Sequence, residues 1–286
     1  MVTKPLDFKG NHNPTWCLGC GNYGILNVLR ASMSDVGLSP EGTVIVSGIG
    51  CSGKVPHFIN AYGFEVLHGR TLPVATGIRL ANSTLKVIAC SGDGDGYGIG
   101  GNHFLHAIRR NIGITWIVHN NGVYGLTTGQ TSPTSEEGFR SKTTPFGSIE
   151  EPVNPLALAI AGGAGFVSRV FVGESLHFRR VLTEALNHPG FALVDVLQPC
   201  VTFNKSHSYA WYAERVYKVE STEGYDPFDR SKAFAYAFEL EKLPIGILYR
   251  RNISSYEEKI PQIAENPLFP RDISSIDISN TLKEFL

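Results

Sequence analysis

Short apolar runs alternate along the chain with longer stretches of mixed polarity. The runs are rich in β-branched residues and have no polar face, which is typical of parallel strands covered by helices on both sides. We predict strands that run into glycine turns over residues 43–50, 86–94 and 114–122, and further strands over residues 163–172 and 191–199. We predict helices between them, over residues 22–36, 72–83, 100–111, 154–162 and 174–188. This alternation predicts an α/β fold, a doubly wound and mostly parallel sheet that binds its ligands at the carboxyl ends of the strands.

The pattern changes in two other parts of the chain. Residues 127–153 are polar and lack apolar periodicity, so we predict a long loop, which in a compact domain is usually functional or mobile. Beyond Cys200 the alternation weakens. We therefore predict a main domain over residues 1–200 and a C-terminal arm over residues 201–286, which packs on that domain or on a partner subunit.

The composition narrows the class of protein. The 286 residues are 42% hydrophobic and 18% charged, which is enough apolar material for a sizeable core. The net charge of −1 and the lack of a Lys/Arg tract argue against a nucleic-acid surface. We find no signal-peptide pattern and no apolar stretch long enough to span a membrane, so we expect a cytoplasmic protein. Its five cysteines should then be reduced, which favours metal or redox chemistry over disulfides.

A glycine-rich loop, SGDGDGYGIGGNHF at residues 91–104, follows one predicted strand and suggests close approach of a ligand to the backbone. It matches a dinucleotide-binding pattern, but residues 96–135 contain no acidic residue to hold a ribose. A second glycine segment, GIGCSGKV, is close to a phosphate-binding loop. It has Val55 where that loop needs a hydroxyl for magnesium, so we reject both interpretations.

An aspartate inside the glycine loop points to a different site. Asp93 follows one predicted strand, and Asn121 follows the next, so parallel pairing would bring them side by side. Their side-chain oxygens and a backbone carbonyl near Val123 are the hard ligands that Mg²⁺ prefers. The glycine loop precedes a helix, whose free N–H groups suit phosphates. We therefore predict that the carboxylate holds a cation and that the cation holds a diphosphate.

Four cysteines form a second candidate site. Cys17 and Cys20 lie in WCLGCGN, Cys51 lies in the turn after the first predicted strand, and Cys200 follows the last one. Four thiolates suit a [4Fe–4S] cluster or a structural zinc. The WCLGC segment also resembles a thioredoxin motif, although no strand precedes it. We interpret the fifth, Cys90, as a buried core residue because it lies within an apolar strand.

The paired GDG and NN segments resemble the signature of enzymes that depend on thiamine diphosphate. The four cysteines indicate which family of these enzymes the chain resembles. Together they resemble the β subunit of the 2-oxoacid:ferredoxin oxidoreductases, most closely the short β chains of two-subunit enzymes. The resemblance covers nearly the whole chain. Its motifs are WCLGCGN, GIGCSGK, LHGRTLPVATGIRLAN, SGDGDGYGIGGNHF, HNNGVYGLTTGQTSPT and DVLQPC.

This resemblance implies a sheet of the thiamine diphosphate-binding type and assigns roles to residues. The implied Mg²⁺ ligands are Asp93, Asn121 and the carbonyl of Val123. The implied cofactor contacts are Ile49, Gly50, Cys51, Ser52, His68, Gly94, Asp95, Gly125 and Leu126. The implied ligands of one [4Fe–4S] cluster are Cys17, Cys20, Cys51 and Cys200.

The resemblance also implies a reaction and its partners. Thiamine diphosphate would decarboxylate a 2-oxoacid such as pyruvate or 2-oxoglutarate, the cluster would pass the electrons to ferredoxin, and coenzyme A would take the acyl group. An α subunit would supply the domain that grips the pyrimidine ring. We predict His68 and Lys54 as catalytic candidates. The ammonium of Lys54 would attract a substrate carboxylate, and Leu126 would supply an apolar surface beside it. The presence of a lysine at position 54 is explained equally well by a solvent-exposed side chain or by an ion pair with the partner subunit.

Two alternatives remain at this point. The chain could belong to a non-oxidative thiamine decarboxylase or lyase with a structural zinc. It could also be an electron-transfer subunit with a vestigial thiamine site, although the intact Asp93 and Asn121 argue against that.

Overall fold

The computed structural model describes residues 3–265, 267–274 and 276–286. Within these ranges the strands are β1 (Thr43–Ser47), β2 (Tyr62–Glu65), β3 (Lys86–Gly92), β4 (Ile114–Asn120), β5 (Val123–Tyr124), β6 (Gln130–Thr131), β7 (Phe166–Phe171), β8 (Ala192–Leu197), β9 (Val216–Lys218) and β10 (Leu243–Arg250). The α-helices are α1 (Gly21–Asp35), α2 (Val55–Phe58), α3 (Thr71–Ala81), α4 (Gly101–Arg110), α5 (Pro155–Gly162), α6 (Ser175–Asn187), α7 (Tyr209–Arg215), α8 (Arg230–Ala237), α9 (Pro261–Ala264) and α10 (Ser279–Lys283).

A single eight-stranded sheet organises the fold, in the order β2-β1-β3-β4-β8-β7-β10-β9. The six strands from β2 to β7 in that order are all parallel, and β10 pairs antiparallel with β7. The five strands predicted from the sequence are β1, β3, β4, β7 and β8. The predicted fold class is therefore confirmed, and the predicted helices form within one or two residues of their expected ends.

Both faces of the sheet are covered because the central strands are apolar on both sides. On β4, Ile117 belongs to a core cluster that includes side chains of α1 and α6. Its neighbour Trp116 points to the opposite cluster, which includes side chains of α3, α4, α5 and α8. This two-residue alternation fits a strand between two helical layers.

The sequence pattern missed the strands at the two edges of the sheet. All four residues of β2 are exposed, so its apolar pattern is weak. The strand β10 contains Pro244 and Gly246, which has a φ of +131°, and its register shifts between Ile247 and Tyr249. Proline and glycine are unfavourable strand signals. The segment after Cys200 thus adds β9 and β10 to the same sheet, while the division of the chain at residue 200 stays a prediction.

The glycine loop forms a π-helical turn over Gly94–Ile99 and leads directly into α4. The predicted long loop begins with a short antiparallel hairpin of β5 and β6 and then continues to α5. None of the helices in the described ranges combines the length and apolar character that a membrane-crossing helix needs. Residues at the carboxyl ends of β1, β3 and β4, in the glycine loop and in the hairpin line one cleft.

Candidate active site

A cleft with an empty volume of about 560 Å³ opens at the carboxyl ends of β1, β3 and β4. It brings together every residue predicted to contact thiamine diphosphate or Mg²⁺. These are Ile49, Gly50, Cys51, Ser52, His68, Asp93, Gly94, Asp95, Asn121, Val123, Gly125 and Leu126. Four lining residues were not singled out from the sequence, namely Gly92, His119, Tyr124 and Thr127.

Asp93 is buried at the end of β3, with only 1% of its surface exposed. Its Oδ1 accepts the backbone N–H of Asn121 at 3.4 Å, and its Oδ2 lies 2.7 Å from the Thr134 hydroxyl and also accepts the Ser132 hydroxyl. Burial raises the pKa of Asp93, and these hydrogen bonds oppose the rise. Because these partners are neutral and a buried carboxylate is costly without a counter-charge, a divalent cation suits the site.

The polar loop after β6 holds this carboxylate, a role that the sequence pattern did not reveal. Thr134 Oγ1 also lies 2.9 Å from the side-chain oxygen of Asn120, at the end of β4. The Ser135 hydroxyl donates to the backbone oxygen of Gly122 at 2.6 Å. The loop therefore joins the ends of β3 and β4, and its dense Ser/Thr content is the signal that could have indicated this.

Asn121 follows β4, and both the oxygen and the nitrogen of its side-chain amide make hydrogen bonds. Its Oδ1 accepts the backbone N–H of Val123 at 3.1 Å, and its Nδ2 donates to Gln198 Oε1 at 3.3 Å. The side chain of Asn204 donates to the backbone oxygen of Asn121 at 2.9 Å. Since a carbonyl oxygen has two lone pairs, Oδ1 keeps one for a cation.

In the described ranges, no group of three or more His, Cys, Asp or Glu side chains is arranged to hold a single metal ion. The predicted Mg²⁺ site uses one carboxylate, one amide and one backbone carbonyl, and it needs diphosphate oxygens to complete it.

Asp95 faces the rim of the cleft rather than its floor. Its carboxylate accepts the backbone N–H groups of Ile49 at 3.1 Å and Gly69 at 2.8 Å, and it lies 2.6 Å from His68 Nδ1. A Cβ on Gly48 would lie 1.9 Å from this carboxylate, so only glycine fits there. Asp95 therefore fixes the turn after β1 and the His68 ring, which meets Tyr124 edge-on at 6.0 Å.

Two buried polar atoms that line the cleft have no hydrogen-bond partner among the described residues, namely Ser52 Oγ and His119 Nε2. The other ring nitrogen, His119 Nδ1, lies 2.6 Å from Asn22 Oδ1 and therefore carries the proton. Burial lowers the pKa of His119 to about 3, so Nε2 has a free lone pair. Buried polar groups normally have partners, and a polar ligand in the cleft would supply them. The residues present thus fit thiamine diphosphate.

The four predicted cluster cysteines line one second pocket, with an empty volume of about 650 Å³. This pocket and the cleft share four residues, namely Cys51, Asn121, Gly125 and Leu126. A Cβ on Gly125 would lie 3.6 Å from Cys51 Sγ and 3.7 Å from Cys200 Sγ. The cleft and the cysteine pocket are therefore separated only by these shared residues, in a layer one residue thick.

Two of the thiols in this pocket need a nearby positive charge to become thiolates, because their pKa values are raised. Burial and the neighbouring cysteines raise the pKa of Cys51, and burial raises that of Cys20 to about 11. A coordinated metal centre deprotonates such thiols, so the donor set fits a cluster. Cys90 is different, because it is fully buried in β3 among core residues, as predicted.

Lys54 lies with the cysteines and not in the lining of the thiamine cleft. Its Nζ lies 3.5 Å from the hydroxyl of Thr15, and its charge opposes the rise in the pKa of Cys51. The structure therefore brings together the residues predicted for thiamine diphosphate and Mg²⁺ at the cleft, and it places Lys54 with the four predicted cluster cysteines in the neighbouring pocket. The contact of Lys54 with substrate stays a prediction.

Comparisons with known proteins identify the family of this chain. Residues 48–196 match the family of thiamine pyrophosphate enzymes, C-terminal TPP binding domain, and residues 200–265 match the C-terminal family of the pyruvate ferredoxin oxidoreductase β subunit. The chain is 46% identical over 269 residues to the 2-oxoacid:ferredoxin oxidoreductase subunit beta of Saccharolobus solfataricus, a match that covers 88% of each chain. The chain belongs to the β subunits of the 2-oxoacid:ferredoxin oxidoreductases.

This β subunit is also 44% identical over 268 residues to subunit beta of 2-oxoacid:ferredoxin oxidoreductase 1 of Aeropyrum pernix, a match that covers 90% of this chain and 84% of that one. Among solved structures, it resembles the 2-oxoglutarate:ferredoxin oxidoreductase of Magnetococcus marinus with 2-oxoglutarate, coenzyme A and succinyl-CoA bound. The TM-score is 0.91 at 36% identity, over 99% of this chain and 96% of that chain. The resemblance inferred from the sequence is thus confirmed.

Proposed function

We propose that this β subunit works with an α subunit in the coenzyme A-dependent oxidative decarboxylation of 2-oxoacids, with electrons passed through a [4Fe–4S] cluster to ferredoxin. The observation that carries the proposal is the shared wall between the cleft and the four-cysteine pocket. A decarboxylation site beside an electron acceptor favours oxidation over simple loss of carbon dioxide. The ferredoxin in the names of its relatives and the ligands bound in the Magnetococcus marinus enzyme support the same reaction.

In this proposal, the cleft residues hold thiamine diphosphate through Mg²⁺. Asp93, the Oδ1 of Asn121 and the carbonyl of Val123 bind the cation, and the hydroxyl of Ser52 meets the cofactor. Thiamine diphosphate held there would supply a thiazolium carbanion, the nucleophile that decarboxylation of a 2-oxoacid needs. The Asp95 carboxylate keeps the rim and the His68 ring in place for that chemistry.

The cysteine residues then hold the cluster that takes up the electrons. Cys51 lies in both lining sets, so it would stand between the cofactor and the other three ligands, namely Cys17, Cys20 and Cys200. A [4Fe–4S] cluster held by these thiolates would supply one-electron redox chemistry, with ferredoxin as the electron acceptor. Cys17 is exposed, which leaves the cluster side of the chain accessible to that partner.

The α subunit would complete the cleft from its open side. Ile49, Leu67 and Leu126 near the rim are 39%, 79% and 47% exposed. Apolar side chains around a site are typical of an interface, so we infer that the α subunit, with its pyrimidine-binding domain, covers them.

A reconstitution assay tests the reaction. The purified complex of this chain and its α subunit is supplied with ferredoxin, coenzyme A and either pyruvate or 2-oxoglutarate. We expect ferredoxin reduction that depends on coenzyme A, and iron and sulfide in the complex. Release of carbon dioxide without ferredoxin reduction, from a complex that contains zinc in place of iron, would instead support the non-oxidative decarboxylase or lyase.

A further inference from the structure

Gln198 lies directly after β8, between the thiamine cleft and the cysteine pocket, and is only 1% exposed. Its Oε1 accepts the Nδ2 hydrogen of Asn121 at 3.3 Å. Its Nε2 donates to the sulfur of Cys20 at 3.4 Å. One side chain therefore contacts a predicted Mg²⁺ ligand with one end and a predicted cluster ligand with the other.

The chemistry of these groups fixes their orientation. A thiolate only accepts hydrogen bonds, so a cluster-bound Cys20 requires the NH₂ end of Gln198. The oxygen of Gln198 must then face Asn121 and can only receive the NH₂ end of that amide. Asn121 is consequently held with Oδ1 on the opposite side, where it accepts the N–H of Val123 and has a lone pair left for a cation.

The backbone and its neighbours hold Gln198 in this position. Its N–H donates to the backbone oxygen of Asn120 at 2.9 Å. A Cβ on Gly21 would lie 2.5 Å from Gln198 Cγ, so the glycine after Cys20 makes the room that this side chain fills. The contact is therefore built from the cysteine motif as well as from the strand.

We infer that Gln198 is a positioning residue that couples the two cofactor sites. It raises the reduction potential of the cluster through its hydrogen bond to Cys20, and it orients Asn121 for the cation. This inference rests on the proposed function. Hydrogen bonds to ligand sulfurs raise a cluster's potential because they stabilise the more negative reduced state. Groups that orient a metal ligand typically change metal affinity by about 10- to 100-fold when they are replaced.

Two substitutions separate the two contacts. Gln198→Met has a similar length and removes both hydrogen bonds. Gln198→Glu keeps an acceptor for Asn121 but loses the donor for Cys20. Gln262→Met in α9 is the matched control, because Gln262 is an exposed glutamine. Each variant is prepared as the complex with its α subunit, and its iron and sulfide contents are measured first.

The readouts are the cluster reduction potential, from an EPR-monitored titration, and the affinity for thiamine diphosphate with Mg²⁺, from calorimetry. In Gln198→Met we expect the reduced form to be disfavoured about tenfold, which is about 59 mV for a one-electron couple. We also expect cofactor affinity to fall about tenfold or more. In Gln198→Glu the potential should fall at least as far while cofactor affinity stays close to that of the wild type. The control should change neither quantity.

An unchanged potential in a fully loaded Gln198→Met complex would overturn the electron-tuning role. Equal losses of cofactor affinity in the Met and Glu variants would overturn the orienting role. If only the Gln198→Met complex fails to assemble its cluster, the reduction potential of the Gln198→Glu complex tests the electron-tuning role in its place. If both folded complexes lack iron, Gln198 serves assembly and the inference is wrong. Absence of a cluster or of thiamine diphosphate binding in the wild-type complex would instead refute the proposed function.

Discussion

Replacing Asp93 by Asn removes the charge at the predicted Mg²⁺ site with little change of shape. The amide oxygen can accept the Asn121 N–H in place of Oδ1. The amide NH₂ then faces the hydroxyls of Ser132 and Thr134, which can accept as well as donate. We therefore expect the variant complex to fold.

The magnitude follows from what the carboxylate does in each state. Burial raises the pKa of Asp93, so its charged form is unfavourable without a cation, and the ligand-free variant should be at least as stable as the wild type. At a ligand concentration of 100 times Kd, binding stabilises the wild type by about 2.7 kcal/mol. If the variant binds 100-fold more weakly, the same ligand stabilises it by only about 0.4 kcal/mol.

Thermal unfolding of the complex, with and without thiamine diphosphate and Mg²⁺, measures this difference. The exposed Asp272 provides a matched control, and Asp272→Asn should keep the full ligand-dependent rise in Tm. If Asp93→Asn kept the full rise as well, Asp93 would not bind the cation and the site would have to be reassigned.

Four further changes test other parts of the chain. Cys51→Ser should keep thiamine diphosphate and lose iron and visible absorption, whereas a full four-iron EPR signal would exclude Cys51 as a ligand. Lys54→Ala should lower kcat/KM for 2-oxoglutarate about 10- to 100-fold more than for 2-oxobutyrate, and equal losses would reject the substrate contact. Burial lowers the pKa of His188 from 6.5 to about 4. The unfolded chain therefore takes up the proton at a higher pH than the folded chain, and the free energy of unfolding should fall as the pH drops from 6.5 towards 4. His188→Phe should reduce that loss of stability, measured by unfolding at a series of pH values. Asp195→Asn should cost about 3–5 kcal/mol in denaturant unfolding because it leaves the buried guanidinium of Arg169, 3.2 Å away, without its counter-charge, and a loss below about 1 kcal/mol would contradict this.

The amino-acid sequence alone predicted the central strands of the sheet and the residues of the two candidate sites. Five short apolar runs rich in β-branched residues predicted buried strands, and the glycine turns at the ends of two of them predicted that Asp93 and Asn121 lie at one edge of the sheet. These features are local, because strand periodicity and turn chemistry depend on neighbouring residues. The same local pattern could not show β2, since its residues are exposed, or β10, since proline and glycine interrupt it.

Only the tertiary structure decided which side chains meet across long stretches of chain. Ser132 and Thr134 reach Asp93 from 39 and 41 residues away. Gln198 spans 77 residues to Asn121 and 178 residues to Cys20. Hydrophobic periodicity cannot predict contacts between residues so far apart in the sequence. These contacts form because parallel strands from separate parts of the chain end at one edge of the sheet. The same packing placed Lys54 with the thiols, where the sequence had suggested the thiamine cleft.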